Sequence, residues 1–378
     1  MAWSFRKRIK IIPGVHINVS KHGVSTSIGI RGASLTFRDD GIYSNLGIPG
    51  TGIYKREKIW DKNQFPQDTQ NNDSPIIPPH NSLFLQSADE YFISSDPLEI
   101  TSEGLQGIQE TVLFARQQEE ELKNDLRNCA SAIGRTKSCI FISKALLIYF
   151  FSSNLRRKLE NDLSHRQKAY EEIKEGVQNS SVKLEIDMDE DARNSYQGVC
   201  ESFKTLMLSQ FKWDVTSSTR VDQVKTRSAA YSSIGRRNTN IGVSQIPGIS
   251  SSLDALKIHN TTGADIYLYP GFFVMYKSHK NIGIVGLNEL SVQYESSHFI
   301  ETGTLPKDSE LIYKVWEKSN KDGSRDKRFS NNRQIPVMEY GVISFTTETG
   351  VNERYMFSNA ASARAFVSAF TEFKSLVF

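Results

Sequence analysis

Three cysteines in 378 residues, Cys129, Cys139 and Cys200, are too few for a disulfide framework, and none forms a Cys-x-x-Cys pair. That excludes a disulfide-stapled scaffold and points to a reducing, cytoplasmic compartment. The seven histidines, His16, His22, His80, His165, His259, His279 and His298, lie scattered without ligand spacing, so no metal and no cofactor is expected. Absent as well are a Gly-x-x-x-x-Gly-Lys-Ser/Thr phosphate loop, a Gly-x-Ser-x-Gly elbow and a His-Glu-x-x-His helix. No acid–base pair can be nominated from spacing, and a non-enzymatic protein is expected. The basic start, Met1 to Arg8, is followed by no long apolar run, so a secretory signal is not expected. Charge of one sign is also scarce. A net charge of +3 over this length does not by itself call for nucleic acid or an anionic surface.

What is present is modular. Hydrophobic residues make up 38% and charged residues 24%, enough for two or three folded domains with polar linkers. Ile12-Pro13-Gly14, Ile30-Arg31-Gly32 and Ile48-Pro49-Gly50 place glycines 18 residues apart, and Gly23 and Gly41 pair in the same register. Between them, Val24 to Ile28 and Ala33 to Phe37 alternate apolar with polar, as half-buried strands do. Residues 1–55 therefore read as a three-repeat β domain, either a short solenoid or a pseudo-threefold prism. The recurrence assigns these glycines to turns, so Gly47 to Gly52 is not a phosphate cradle. Arg6, Lys7, Arg8 and Lys10 at its entry suit either an anion or a solvated strand edge.

Residues 56–100 are rich in Asn, Asp, Gln and Pro and read as a mostly disordered linker. Residues 101–214 read as a helical hairpin or coiled coil. Leu105, Ile108, Val112, Leu122 and Leu126 step by threes and fours along a heptad seam, with Ala115, Cys129 and Ile133. That seam can close inside one chain or join subunits. Between the helices lies a short apolar run with Ile140, Phe141, Ile142, Leu146, Leu147, Phe150 and Phe151, flanked by Arg135, Lys137, Arg156, Arg157 and Lys158. It is too short to span a bilayer and contains Lys144. It reads either as a membrane-dipping tip or as a face packed on another domain or subunit. Asp187 to Trp213 reads as a further helix. Residues 215–262 read as an irregular basic segment, and 263–378 as a β-rich module closed by a helix from Asn359 to Phe373. A loop within it carries Lys318, Lys321, Arg325, Lys327, Arg328 and Arg333 against Asp322 and Asp326. Such a loop can grip phosphates, or its side chains can tie it to neighbouring strands while Phe329 plugs a core.

Two stretches carry resemblances. Phe5-Arg6-Lys7, Pro13-Gly14, Ser20-Lys21-His22-Gly23-Val24-Ser25 and Gly47-Ile48-Pro49-Gly50-Thr51-Gly52 resemble a widespread bacterial N-terminal domain of unknown function. Asp322-Gly323-Ser324-Arg325-Asp326-Lys327-Arg328-Phe329, with Thr349-Gly350-Val351-Asn352-Glu353, is similar to a C-terminal module of bacterial proteins. There the loop often runs Gly-Gly-Pro-Asp-Arg-Arg-Phe, so the proline is absent here. The order of strands and terminal helix resembles the pleckstrin-homology-like plan, a bent barrel plugged by a helix. Together these resemblances imply a bacterial, modular, non-enzymatic protein, with stress response or phage defence as a setting.

The expected fold class is multi-domain α+β, and the expected role is an interaction or scaffold protein. Its partners are expected to be other proteins, including further copies of itself. The alternative is a membrane-associated adaptor or effector at the inner membrane periphery, with residues 140–151 in lipid and the loop at 318–333 facing head groups. Nucleic acid is not expected.

Overall fold

The structure is a computed structural model that describes residues 14–21, 23–30, 33–38, 41–47, 54–61, 90–221, 230, 232–320 and 322–378. It is a mixed α+β arrangement with a long central helix. Strands β1 (Gly14–Ser20), β2 (Gly23–Ile30), β3 (Ala33–Arg38), β4 (Gly41–Gly47) and β5 (Tyr54–Asp61) run as an antiparallel meander. Ser20 pairs with Gly23 and Arg38 with Gly41, so both hairpins turn over two residues. Gly23 has φ +119°, where a side chain would be strained. The 18-residue period is thus two strands and their turns. These strands form one open sheet, neither a solenoid nor a prism, because each pairs with the next by hydrogen bonds. Gly32 and Gly50, and the basic entry Arg6 to Lys10, lie outside the described residues.

The rest of the chain gives β6 (Glu90–Tyr91), α1 (Gln106–Ala145), α2 (Ile148–Phe151), α3 (Ser153–Gln178), β7 (Val182–Met188) and α4 (Glu190–Met207). Then come β8 (Lys212–Arg220), β9 (Ser232–Asn238), β10 (Ile241–Ser244), β11 (Ile249–Ser251), β12 (Ala255–Ile258), β13 (Asp265–Leu268), β14 (Phe272–Ser278) and β15 (Asn281–Gly286). The last are β16 (Ser291–Ile300), β17 (Glu310–Trp316), β18 (Gln334–Thr346), β19 (Asn352–Phe357) and α5 (Ala360–Val377).

Among the described residues these strands make three open sheets. The first extends the N-terminal meander, because β7 lies parallel beside β1 and β11 parallel beside β7. The second runs β10-β12-β13-β14-β15. The third runs β16-β18-β19-β8-β6, with β17 added on β18 and β9 on β8. The closing helix is present, capped by the Asn359 side chain on the Ser362 N–H at 2.9 Å. The expected barrel is not closed: the terminal strands divide between two open sheets, and the third takes β8 from earlier in the chain.

Two expected spans differ. The helix expected over Asp187–Trp213 is confined to Glu190–Met207, because Asp189 caps it by accepting the Ala192 N–H at 2.8 Å. Residues 215–262, expected to be irregular, carry most of β8 and all of β9 to β12. Their Ser and Thr side chains hide a strand signal that hydrogen-bonded neighbours supply. Within the expected linker, β5 extends to Asp61, residues 62–89 lie outside the described residues, and Phe92 and Ile100 are buried.

One core joins these layers. Val15, Ile17 and Val19 of β1 meet Val182 and Leu184 of β7, the base of α1 and the apolar face of α4. Helix α4 packs on α5, with Phe203 against Phe366 at 5.4 Å and Tyr196 against Phe373 at 5.3 Å between ring centroids. The turn before β14 presses on the first sheet so closely that a Cβ at Gly271 would meet Ile17 at 3.0 Å.

Candidate interaction surfaces

Helix α1 is 40 residues long, about 60 Å at 1.5 Å per residue. Its first three turns bury Ile108, Val112 and Ala115 in the body, with Leu105 packed beside them. Beyond that it packs along α3, with α2 at the far end. Leu122, Cys129, Ala169 and Ile173 form a separate small core, flanked by Leu126, Ile133, Tyr170 and Val177. Leu122 is 0% exposed within the single chain. Of the heptad seam, Leu122 and Leu126 pack with α3, while Leu105, Ile108 and Val112 pack on the body. Arg166 donates to the Ala132 carbonyl at 3.0 Å and Cys129 to the Arg166 carbonyl at 3.3 Å, pinning the register.

At the far end the chain reverses through Leu146 and Leu147, the latter at φ +60°. Ser152 caps α3 by accepting the Leu155 N–H at 3.3 Å. Tyr149 folds inward, bonded to Glu160, with the Lys144 ammonium 5.0 Å from its ring. Six other apolar residues turn outward. Phe141, Ile142, Leu146, Leu147 and Phe150 are all more than half exposed, and Phe151 reaches 87%. Ile140 is half-buried. The run expected either to dip into lipid or to pack on another domain is therefore left uncovered by the described residues. Charge along the hairpin is polarised. From Leu126 to Leu159 there are seven Lys and Arg residues and no Asp or Glu. Nearer the body, Glu110, Glu119, Glu120, Glu121 and Asp125 of α1, with Asp162, Glu171, Glu172 and Glu175 of α3, make the base acidic. Among the described residues no helix is long and apolar enough to cross a membrane.

The basic loop between β17 and β18 is tied down largely by its own groups. Buried Asp326 takes the Arg328 guanidinium at 2.7 and 2.9 Å, and Arg333 bonds Glu317 at 3.0 Å. Arg325 lies 5.2 Å from the Trp316 ring and donates to the Ser330 carbonyl. Asn332 accepts the Lys318 N–H and returns a bond to the Lys318 carbonyl, so it staples the loop base. Lys327 is exposed, and Lys321 lies outside the described residues. Phe329, expected to plug a core, is 38% exposed. The turn at Asp326 to Phe329 is held by hydrogen bonds, so no apolar anchor is needed.

Two buried polar groups escape motif reading. Arg236 lies over Trp213 at 4.1 Å and Phe299 at 4.2 Å and bonds Glu301 at 2.6 Å. Burial acts to raise the Glu301 carboxyl, but hydrogen bonds from Arg236, the Gly303 N–H and Tyr340 outweigh it and hold it below its ordinary value. The second is Glu353, 2% exposed on β19, which accepts from the Ser94 hydroxyl at 2.6 Å. Burial pushes its carboxyl up to about 7 against the Ser94 bond, with Asp214 on neighbouring β8 adding to the rise. Ser94 also accepts the Asn352 N–H at 3.0 Å, so the strap from Phe92 to Ser102 is laid over this carboxyl. A signal was available. Glu353 shares strand parity with Tyr355 and Phe357, which marks it as inward-facing.

A family model described as "Protein of unknown function (DUF4236)" matches residues 3–56. The chain thus carries an N-terminal domain of unknown function, of which the described part is β1 to β4 and the first residues of β5. Comparison with curated proteins and with solved structures gave no match.

Proposed function

We propose that this protein is a non-enzymatic adaptor. Its three-sheet body is a platform, and the helical hairpin is a stalk that presents a docking tip away from it. One observation supports this above all. The outer part of the stalk's seam is buried between α1 and α3, while six large apolar side chains at its end are left exposed by the described residues. A hairpin that served only to pack the fold would have no use for that end. Beyond Gln118 the stalk extends about 40 Å, enough to hold the body clear of whatever the tip engages.

The tip is testable without disturbing the fold, since its side chains are exposed. The full chain should travel with fast-sedimenting material in a gently prepared lysate. The combined Leu147→Ser, Phe150→Ser, Phe151→Ser variant should return to the size of a free chain. Equal sedimentation of the two proteins would sink the docking reading.

A further inference from the structure

We infer that the surface engaged by the tip is a bilayer rich in anionic lipid, an inference that rests on reading the tip as the docking end of the stalk. Two properties that converge there suit a lipid surface. The first is an apolar cap of both aliphatic and aromatic side chains, Phe141, Ile142, Leu146, Leu147, Phe150 and Phe151, all more than half exposed. Nucleic acid would gain from stacked rings and cations, but has nothing to offer isoleucine and leucine. The second is charge. Arg135, Lys137, Arg156, Arg157 and Lys158 flank the cap, Lys144 lies within it over the Tyr149 ring, and no carboxylate intervenes between Asp125 and Glu160. Cations set one or two turns behind an apolar end match the depth at which lipid phosphates stand above acyl chains. Long Lys and Arg stems can lie along the apolar surface with their charges at the phosphates.

The geometry limits how deep the tip goes. Residues 140–151 would span about 18 Å even as one straight helix, against a hydrocarbon core of about 30 Å. The chain also turns back at Leu147, so insertion is confined to one leaflet's edge. The acidic base of the hairpin is repelled by the surface that attracts its end. The stalk therefore stands away from the membrane rather than lying along it.

Flotation of the purified full-length protein with vesicles tests this. Vesicles of phosphatidylglycerol and phosphatidylcholine in equal parts should carry the protein upward at low salt. Vesicles of phosphatidylcholine alone should not, and high salt should weaken the binding. Replacing Arg156, Arg157 and Lys158 by Gln should lower the partition on the order of a hundredfold. Phe150→Ser and Phe151→Ser should each lower it about tenfold. Thermal melting of each variant checks that the fold is intact. Absence of flotation, with lysate sedimentation still lost in the Leu147, Phe150, Phe151 triple variant, would overturn the bilayer and keep the docking tip. Flotation that persists unchanged in the tip variants would place lipid binding elsewhere and overturn both.

Discussion

Replacing Glu353 by Gln should remove a large part of the protein's loss of stability between acid and neutral pH. The carboxyl is 2% exposed, and burial raises it from an ordinary 4.5 to about 7. Its folded value lies above its unfolded one, so the native state favours the protonated form. That stability is fully present below about pH 4.5 and is lost as pH rises through 7. A difference of this size corresponds to about 3 kcal/mol of stability, spent across that window. Glutamine is nearly isosteric with the neutral acid. Its carbonyl oxygen can accept from Ser94 as Glu353 does at 2.6 Å, and its amide can face the Asp214 side. Denaturant unfolding at intervals from pH 4.5 to pH 8 measures the effect. The rest of the chain is common to both proteins, so the difference between them is the readout. The two proteins should match at the acid end, and the variant should be about 3 kcal/mol more stable at pH 8. Parallel curves across the whole range would refute the assignment of a buried, neutral carboxyl at this site.

Three further outcomes follow from packing. Gly341→Ala should destabilise by about 1–3 kcal/mol, because the new methyl would meet the Ala363 Cβ at 2.5 Å, and denaturation midpoints report it. Leu122→Asp should melt the stalk, lowering helical circular dichroism by the contribution of its outer part while light scattering returns an unaltered mass; a shift in mass would restore the intersubunit seam. A maleimide should label Cys139 rapidly and Cys129 slowly, since Cys139 is exposed whereas Cys129 is buried and burial raises its thiol; equal rates would contradict the closed hairpin.

Local periodicity was legible, and long-range pairing was not. The steps from Ile108 to Ile133 disclosed a hairpin seam because helix contacts lie three and four residues apart. The glycine period disclosed strands because two-residue turns repeat. Asn359 and the spacing of Ala363, Phe366, Val367 and Phe370 disclosed the last helix. By contrast, nothing local in Val182 to Met188 says that it lies parallel to Val15 to Val19, since parallel partners meet only through a long connection. Polar Thr216 to Thr219 hid a strand whose identity comes from Gly235 to Ser233 beside it. The apolar tip was visible as composition. Whether it was covered depended on the rest of the fold.

The parallel pairing of β1 with β7 also sets a timetable. During synthesis the five-stranded meander emerges first, with the apolar edge Val15, Ile17 and Val19 unprotected until Leu184 and its neighbours leave the ribosome, on the order of ten seconds later. The turn at Lys21 waits as well, since its N–H is received at 3.1 Å by Asp189, the cap of α4. An exposed strand edge is a template for pairing with another chain. Cut out on its own, the N-terminal sheet would leave β1 as an open edge, and a nascent chain that stalls before β7 exposes that edge.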